Sequence, residues 1–244
     1  MACDRSLACL LFGAYMEGTG YNKLLDIRNR CDMTVDLAAY QLVSCANGCT
    51  EWEYVPRLVL DGALPPSATW RVTDVQAPEA LRRAANQTVG YMSNGNDAFG
   101  LLHAASGQVV DTVGEVGPDP GAGWAVAGTA GATRDGTLVR KAGVRFGNCA
   151  DWAHSAGLDA TSSEWEVYPK DAVPSVIDGE GVDPSWSWPA PPPPAQACPP
   201  RAADCASGLF GSDPGDSGAD RRADKSMLTV GTYNAEWLFD GARS

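Results

Sequence analysis

What most constrains this chain is the shortness of its apolar runs. Each alternating or β-branched stretch is soon closed by Gly, Pro, Asn or Asp, and the 244 residues include 27 Gly and 17 Pro. Turn signals at this density favour many short strands over long helices. Leu10–Met16 reads as a strand. Lys23–Asn29 alternates, with Leu25 and Ile27 on one face and Asp26 and Arg28 on the other. Val35–Val43, Tyr54–Leu60, Ala68–Val75, Asp97–Ala104, Gln108–Val116, Thr137–Val144 and Trp165–Tyr168 continue the series. Pro78–Ala85 is the one short helix expected, with Pro78 suited to a first turn. Asn94-Gly95 is a tight-turn signal of the hairpin kind, and residues 117–136 form a glycine-rich loop around Trp124. The pattern predicts an all-β fold built as a sandwich.

Composition then excludes several functions. The net charge is −12. An acidic surface repels phosphate backbones and anionic lipid, so nucleic-acid binding is not expected of the chain alone. No stretch is long and apolar enough to span a bilayer. Arg5 followed by Leu7–Phe12 loosely imitates a secretion signal, but the run is short and Glu17 comes soon after, so a first strand is expected there. Eight cysteines stand at positions 3, 9, 31, 45, 49, 149, 198 and 205. Their even number and loop placement suit disulfides in an oxidising, extracellular or secretory compartment. Cys198 and Cys205 flank a short polar loop and could pair locally. Zinc at Cys31, Cys45 and Cys49 is the weaker reading, because no second close pair accompanies Cys45-x-x-x-Cys49. Asn86-Gln87-Thr88 is an N-glycosylation acceptor triplet, a pattern that also arises by chance.

Few residues point to catalysis. His103 lies in an apolar strand and His154 follows Trp152-Ala153 in a loop. Neither accompanies a nucleophile motif, and both are expected to be structural or surface residues. The glycine-rich segment carries no Walker lysine and no dinucleotide fingerprint. Asn94, Asn96 and Asp97 could bind a hard cation, although a hairpin turn explains them better. Glu17, Asn22 and Asp26 could form a polar site, or equally a turn network. Trp186-Ser187-Trp188 leads into the proline run Pro191–Pro194, which reads as an extended spacer.

Several of these segments, taken in order, resemble the lamin-tail domain found beside secreted nucleases. They are Leu10–Asn29 with its Glu17-Gly18 and Asn22-Lys23, then Val35-Asp36-Leu37 with Tyr40-Gln41-Leu42, and Asn94-Gly95-Asn96-Asp97. Val110–Gly114, Trp124, Thr137–Lys141, Ser163-Glu164-Trp165 and Tyr168-Pro169 follow. The resemblance covers about residues 8–182. It implies an immunoglobulin-like β-sandwich that acts as a non-catalytic binding or targeting module, with a protein, glycan or surface ligand. Fold alone does not supply function. Leu228–Asp240 is similar to the first strand of the endonuclease/exonuclease/phosphatase family. There Asn234 matches an asparagine that helps position metal and phosphate, and Trp237 departs from the usual Asn.

A complete site of that family would use Mg²⁺. The rest of it is not in this sequence, so no cofactor and no nuclease activity are expected of the chain. The expected organisation is a lamin-tail-like sandwich over residues 1–183, a disordered Pro/Gly/Ser-rich linker over 184–226, and the start of a nuclease-like domain over 227–244. Two alternatives stand beside the binding module: a truncated secreted metal-dependent nuclease, and a structural cell-surface or envelope protein. A fragment of residues 1–183 is expected to fold alone and give a β-type far-UV circular dichroism spectrum; a predominantly helical spectrum would contradict the reading.

Overall fold

A computed structural model describes residues 3–172. The expected linker, the Cys198–Cys205 pairing, the Trp186/Trp188 segment and the nuclease-like strand with Asn234 lie outside the described residues. Within them the chain is mostly strand. In order these are β1 (Leu10–Glu17), β2 (Lys23–Asn29), β3 (Val35–Asp36), β4 (Tyr40–Cys45), β5 (Tyr54–Val59), β6 (Ala63–Leu64) and β7 (Thr69–Asp74). Helix α1 (Glu79–Arg83) precedes β8 (Gln87–Val89), β9 (Ala98–His103), β10 (Gln108–Val113) and β11 (Gly136–Arg140). Helix α2 (Trp152–Ala156) precedes β12 (Trp165–Pro169).

Six strands form one sheet in the order β12-β11-β1-β2-β7-β8, and four form a second in the order β10-β9-β4-β5; β3 pairs with β6. The pairs are antiparallel except β7–β8. Leu10, Phe12, Tyr15, Leu25 and Ile27 of the larger sheet share one core with Leu42, Phe99, Leu101 and Val110 of the smaller. Burial of one such aliphatic or aromatic side chain is worth about 1.5–3 kcal/mol.

The alternation in β1 changes phase at Gly13. The β1–β2 register shifts between Phe12 and Ala14, which is a bulge. Leu10, Phe12 and Tyr15 therefore face the shared core, while Ala14 and Met16 face the other side. There Met16, Leu24, Ala77, Leu81 and Val139 make a second, smaller core under α1. That cover buries the polar face of β2 as well. Asp26 accepts two 2.7 Å bonds from Arg71 of the neighbouring strand, from Nε and Nη2.

The two sheets are tied by one carboxylate. Asp111 on β10 accepts 2.7 Å and 2.8 Å bonds from the backbone N–H groups of Phe12 and Asn148, and a 3.0 Å bond from Arg140 Nη2 on β11. The Arg140 guanidinium lies 4.5 Å from the Trp165 ring centre and 3.1 Å from Glu164 Oε2. Burial pushes the Asp111 carboxyl up, against the pull of Arg140 and the two backbone donors.

Three expectations need correction. The Val35–Val43 run is broken: Asp36 caps a 3₁₀ turn at Leu37–Ala39 through the Ala38 N–H at 3.0 Å, and Ala38-Ala39 offers little β preference. Asn94-Gly95 closes no hairpin, because β8 and β9 on either side of it belong to different sheets. His154 lies on a helix rather than in a loop; Asp151 caps α2 by accepting its N–H at 3.2 Å. The six cysteines among the described residues stand in pairs at disulfide distance, with Cα separations of 5.9 Å for Cys3–Cys149, 5.0 Å for Cys9–Cys31 and 5.9 Å for Cys45–Cys49. Cys31 and the pair Cys45–Cys49 thus belong to separate couples.

Arg140→Leu leaves the Asp111 carboxylate buried without its counter-charge. It is expected to lower the unfolding free energy by about 3–5 kcal/mol, measured by urea denaturation. A loss below about 1 kcal/mol would show that the pair does not hold the sheets together.

Candidate functional site

An open cleft of about 550 Å³ lies where β1 turns into β2. The Asn94-Gly95-Asn96 crossover, the end of the glycine-rich loop and the residues after β12 complete it. Its walls carry Glu17, Lys23, Asn47, Asn94, Asn96, Arg134, Asp135 and Lys170.

The cleft is held from beneath by bonds that sequence spacing does not reveal. Trp124 packs its ring into the shared core, and its backbone N–H donates to Thr133 Oγ1 at 2.8 Å. Thr133 Oγ1 donates in turn to the Gly95 carbonyl at 2.6 Å, and its own carbonyl accepts from Tyr15 Oη at 2.9 Å. This fixes Arg134 and Asp135 against the Asn94–Asn96 crossover. Gly95 has φ +99°, and a Cβ there would come within 2.6 Å of the Arg134 Cα, so the close approach requires glycine.

Lys23 is the floor. It is buried, and its Nζ donates to Glu17 Oε1 at 2.9 Å, to Asn94 Oδ1 at 3.0 Å and to the Ser93 carbonyl, which uses all three of its protons. The second Glu17 oxygen accepts the Asp135 N–H at 2.6 Å. Asp135 Oδ1 pairs with Lys170 at 2.8 Å, and Arg134 Nε lies 3.6 Å from its other oxygen. The hydrogen bond from Lys170 holds the Asp135 carboxyl below its ordinary value, and the same bond raises Lys170. Both stay charged. Asn96 Nδ2 donates to Asn47 Oδ1 at 2.8 Å, which joins the crossover to the Cys45–Cys49 loop.

The expected site residues separate. Of Glu17, Asn22 and Asp26, only Glu17 lines the cleft. Asn22 binds Asp171 at 2.6 Å in the β1–β2 turn, and Asp26 is occupied by Arg71. Asn94 and Asn96 do reach the cleft, but Lys23 sits on the Asn94 oxygen that a hard cation would need. Asp97 is buried and accepts the Asn47 N–H at 2.9 Å. His103 Nδ1 lies 2.8 Å from Ser106 Oγ, and exposed His154 lies on α2; neither lines the cleft. Asn234 lies outside the described residues. Lys23, Arg134, Asp135, Lys170 and Asn47 were not singled out by the sequence. The Asp135-Gly136 turn signal and the Asn22-Lys23 pair were the only local hints.

The one hydroxyl with a carboxylate beside it on this lining is Thr19, whose Oγ1 donates to Asp171 at 2.7 Å. The cleft presents amides, three cations and two carboxylates, each carboxylate already bound by protein donors. No protein-family model matches the chain, and no curated protein matches its sequence.

The turn below the cleft is closed by Asp171. It accepts from Thr19 N at 2.8 Å, from Thr19 Oγ1 at 2.7 Å and from Asn22. Burial raises the Asp171 carboxyl, but the Thr19 and Asn22 bonds outweigh it and leave it depressed. A depressed folded value means that the contribution is complete above the ordinary value of 3.8 and is lost as pH falls through the lower folded value. Asp171→Asn is therefore expected to begin less stable and to lose less on acidification through this range, followed by near-UV circular dichroism. Parallel acid profiles for the two proteins would remove Asp171 from this role.

Proposed function

We propose that the chain is a non-catalytic binding module, an immunoglobulin-like β-sandwich of lamin-tail type. In this reading it works outside the cell and would accompany a phosphodiesterase domain that starts near residue 227. The observation that carries the proposal is the cleft itself. Its two carboxylates are each paired with lysine or arginine, leaving one positive charge in excess, while the amides of Asn47 and Asn96 and the Arg134 guanidinium stand on supported loops.

The ligand class that matches is an uncharged, hydroxyl-rich glycan. Planar amides and guanidinium groups pair with vicinal hydroxyls, and the net charge of −12 discourages acidic polymers. Three cysteine pairs at disulfide distance are compatible with an extracellular setting. The sequence resemblance over residues 8–182 supports the sandwich type, and that over Leu228–Asp240 supports the phosphodiesterase association.

The test is binding of the full chain to an array of neutral oligosaccharides, with the Arg134→Ala and Asn96→Ala variants in parallel. Each variant is expected to weaken binding by about tenfold, the value of one hydrogen bond to a charged or amide group. No oligosaccharide bound, or equal binding by the variants, would overturn the glycan reading. The full chain is also expected to show no Mg²⁺-dependent DNA cleavage. Turnover that survives Asn234→Ala would reveal a different catalytic site and overturn the non-catalytic reading.

A further inference from the structure

Asn86-Gln87-Thr88 is the one Asn-X-Ser/Thr triplet in the chain, and it stands apart from the cleft. It sits where α1 ends and β8 begins, on the outer edge of the six-stranded sheet. Asn86 and Thr88 are exposed. Gln87 between them points the other way, as alternation requires. Its Oε1 accepts from Trp70 Nε1 at 2.9 Å, and its Nε2 donates to the Val59 carbonyl at 3.2 Å.

Asn86 is used by the fold in a way that spares its amide nitrogen. Its backbone N–H donates to the Arg71 carbonyl at 2.9 Å, and its side-chain Oδ1 accepts the Arg71 N–H at 2.8 Å. The oxygen therefore continues the ladder one residue beyond β8. The nitrogen, the atom that carries an N-linked sugar, makes no bond that the fold needs.

We propose that Asn86 is a glycosylation site, modified by a lipid-diphosphate-linked oligosaccharide in the secretory path. In the step, Asn86 Nδ2 forms a bond to C1 of the first sugar. The C1–O bond to the diphosphate breaks, the lipid diphosphate leaves with that electron pair, and one Nδ2 proton is lost. The product keeps the amide oxygen on Arg71, so the folded state accommodates it without rearrangement. β8 is a three-residue edge strand, and a glycan on the residue that precedes it would cover an edge that is otherwise open to pairing with another chain.

The decisive measurement uses protein purified from its native source, digested and treated with peptide-N-glycosidase in heavy-oxygen water. Conversion of Asn86 to heavy-labelled aspartate is expected. Recovery of the peptide with Asn86 unmodified would overturn the proposal. In the full chain secreted from eukaryotic cells, Thr88→Ala is expected to abolish the glycosidase-sensitive mass and Thr88→Ser to retain it. Thr88→Ala leaves Asn86 and its Arg71 bonds in place, so an unchanged circular dichroism spectrum separates loss of the glycan from loss of the fold. A glycosidase-sensitive mass that persists in Thr88→Ala would place the sugar elsewhere and sink the assignment.

Discussion

The buried carboxylate of Asp111 is the point on which the two layers depend. Sheets stacked through apolar side chains can slide, because dispersion has no direction. A carboxylate that takes a backbone N–H from β1, another from Asn148 and a guanidinium from β11 fixes both register and distance. Burying that ion pair is costly, and well-packed apolar residues of equal volume could be as stable. What the pair supplies is position. It sits beside the Gly13 bulge, where β1 changes which residues face the core, and it takes the Phe12 N–H next to that irregularity.

The cleft follows from the same arrangement at the other end of β1. Glu17 and Lys23 face each other because β1 and β2 pair antiparallel with Glu17 opposite Lys23. Everything else arrives by long connections. The Asn94–Asn96 crossover passes from one sheet to the other. The glycine-rich loop returns to β11 only after Trp124 has anchored it in the core. The chain after β12 brings Lys170 and Asp171. With the Cys45–Cys49 loop that carries Asn47, five segments distant in sequence converge, and the contacts that set their spacing, Thr133 to Gly95 and Tyr15 to Thr133, lie beneath the surface rather than in it.

This explains how much could be read in advance. The strand positions were legible because alternation and turn residues are local signals: Lys23–Asn29 was bounded correctly, and β1, β7 and β12 were placed within two residues at each end. The all-β class followed from them. The phase change at Gly13 was not legible, since a bulge depends on what the partner strand and the Arg28 side chain above it require. Nor was α2, whose five residues are too few for a period; only the Asp151 cap could have signalled it. For the site, Glu17, Asn94 and Asn96 were visible as polar residues beside turns. Lys23 opens an alternating strand, and nothing local says that its ammonium ends on a glutamate, an asparagine and a carbonyl.

Charge distribution completes the account of the cleft. A chain with net charge −12 has no general attraction for anions, yet three of its 18 Lys and Arg residues line one cleft. Each is set against a carboxylate: Lys23 against Glu17, Lys170 and Arg134 against Asp135. Such pairing fixes the geometry of the donors while cancelling most of their long-range field. A site of this kind gains little from steering and must select its ligand by hydrogen-bond placement. Fixed amides on supported loops do that, whereas a dense basic patch would not. The electrostatics of the whole chain and the construction of the cleft are both compatible with the neutral polar ligand proposed above.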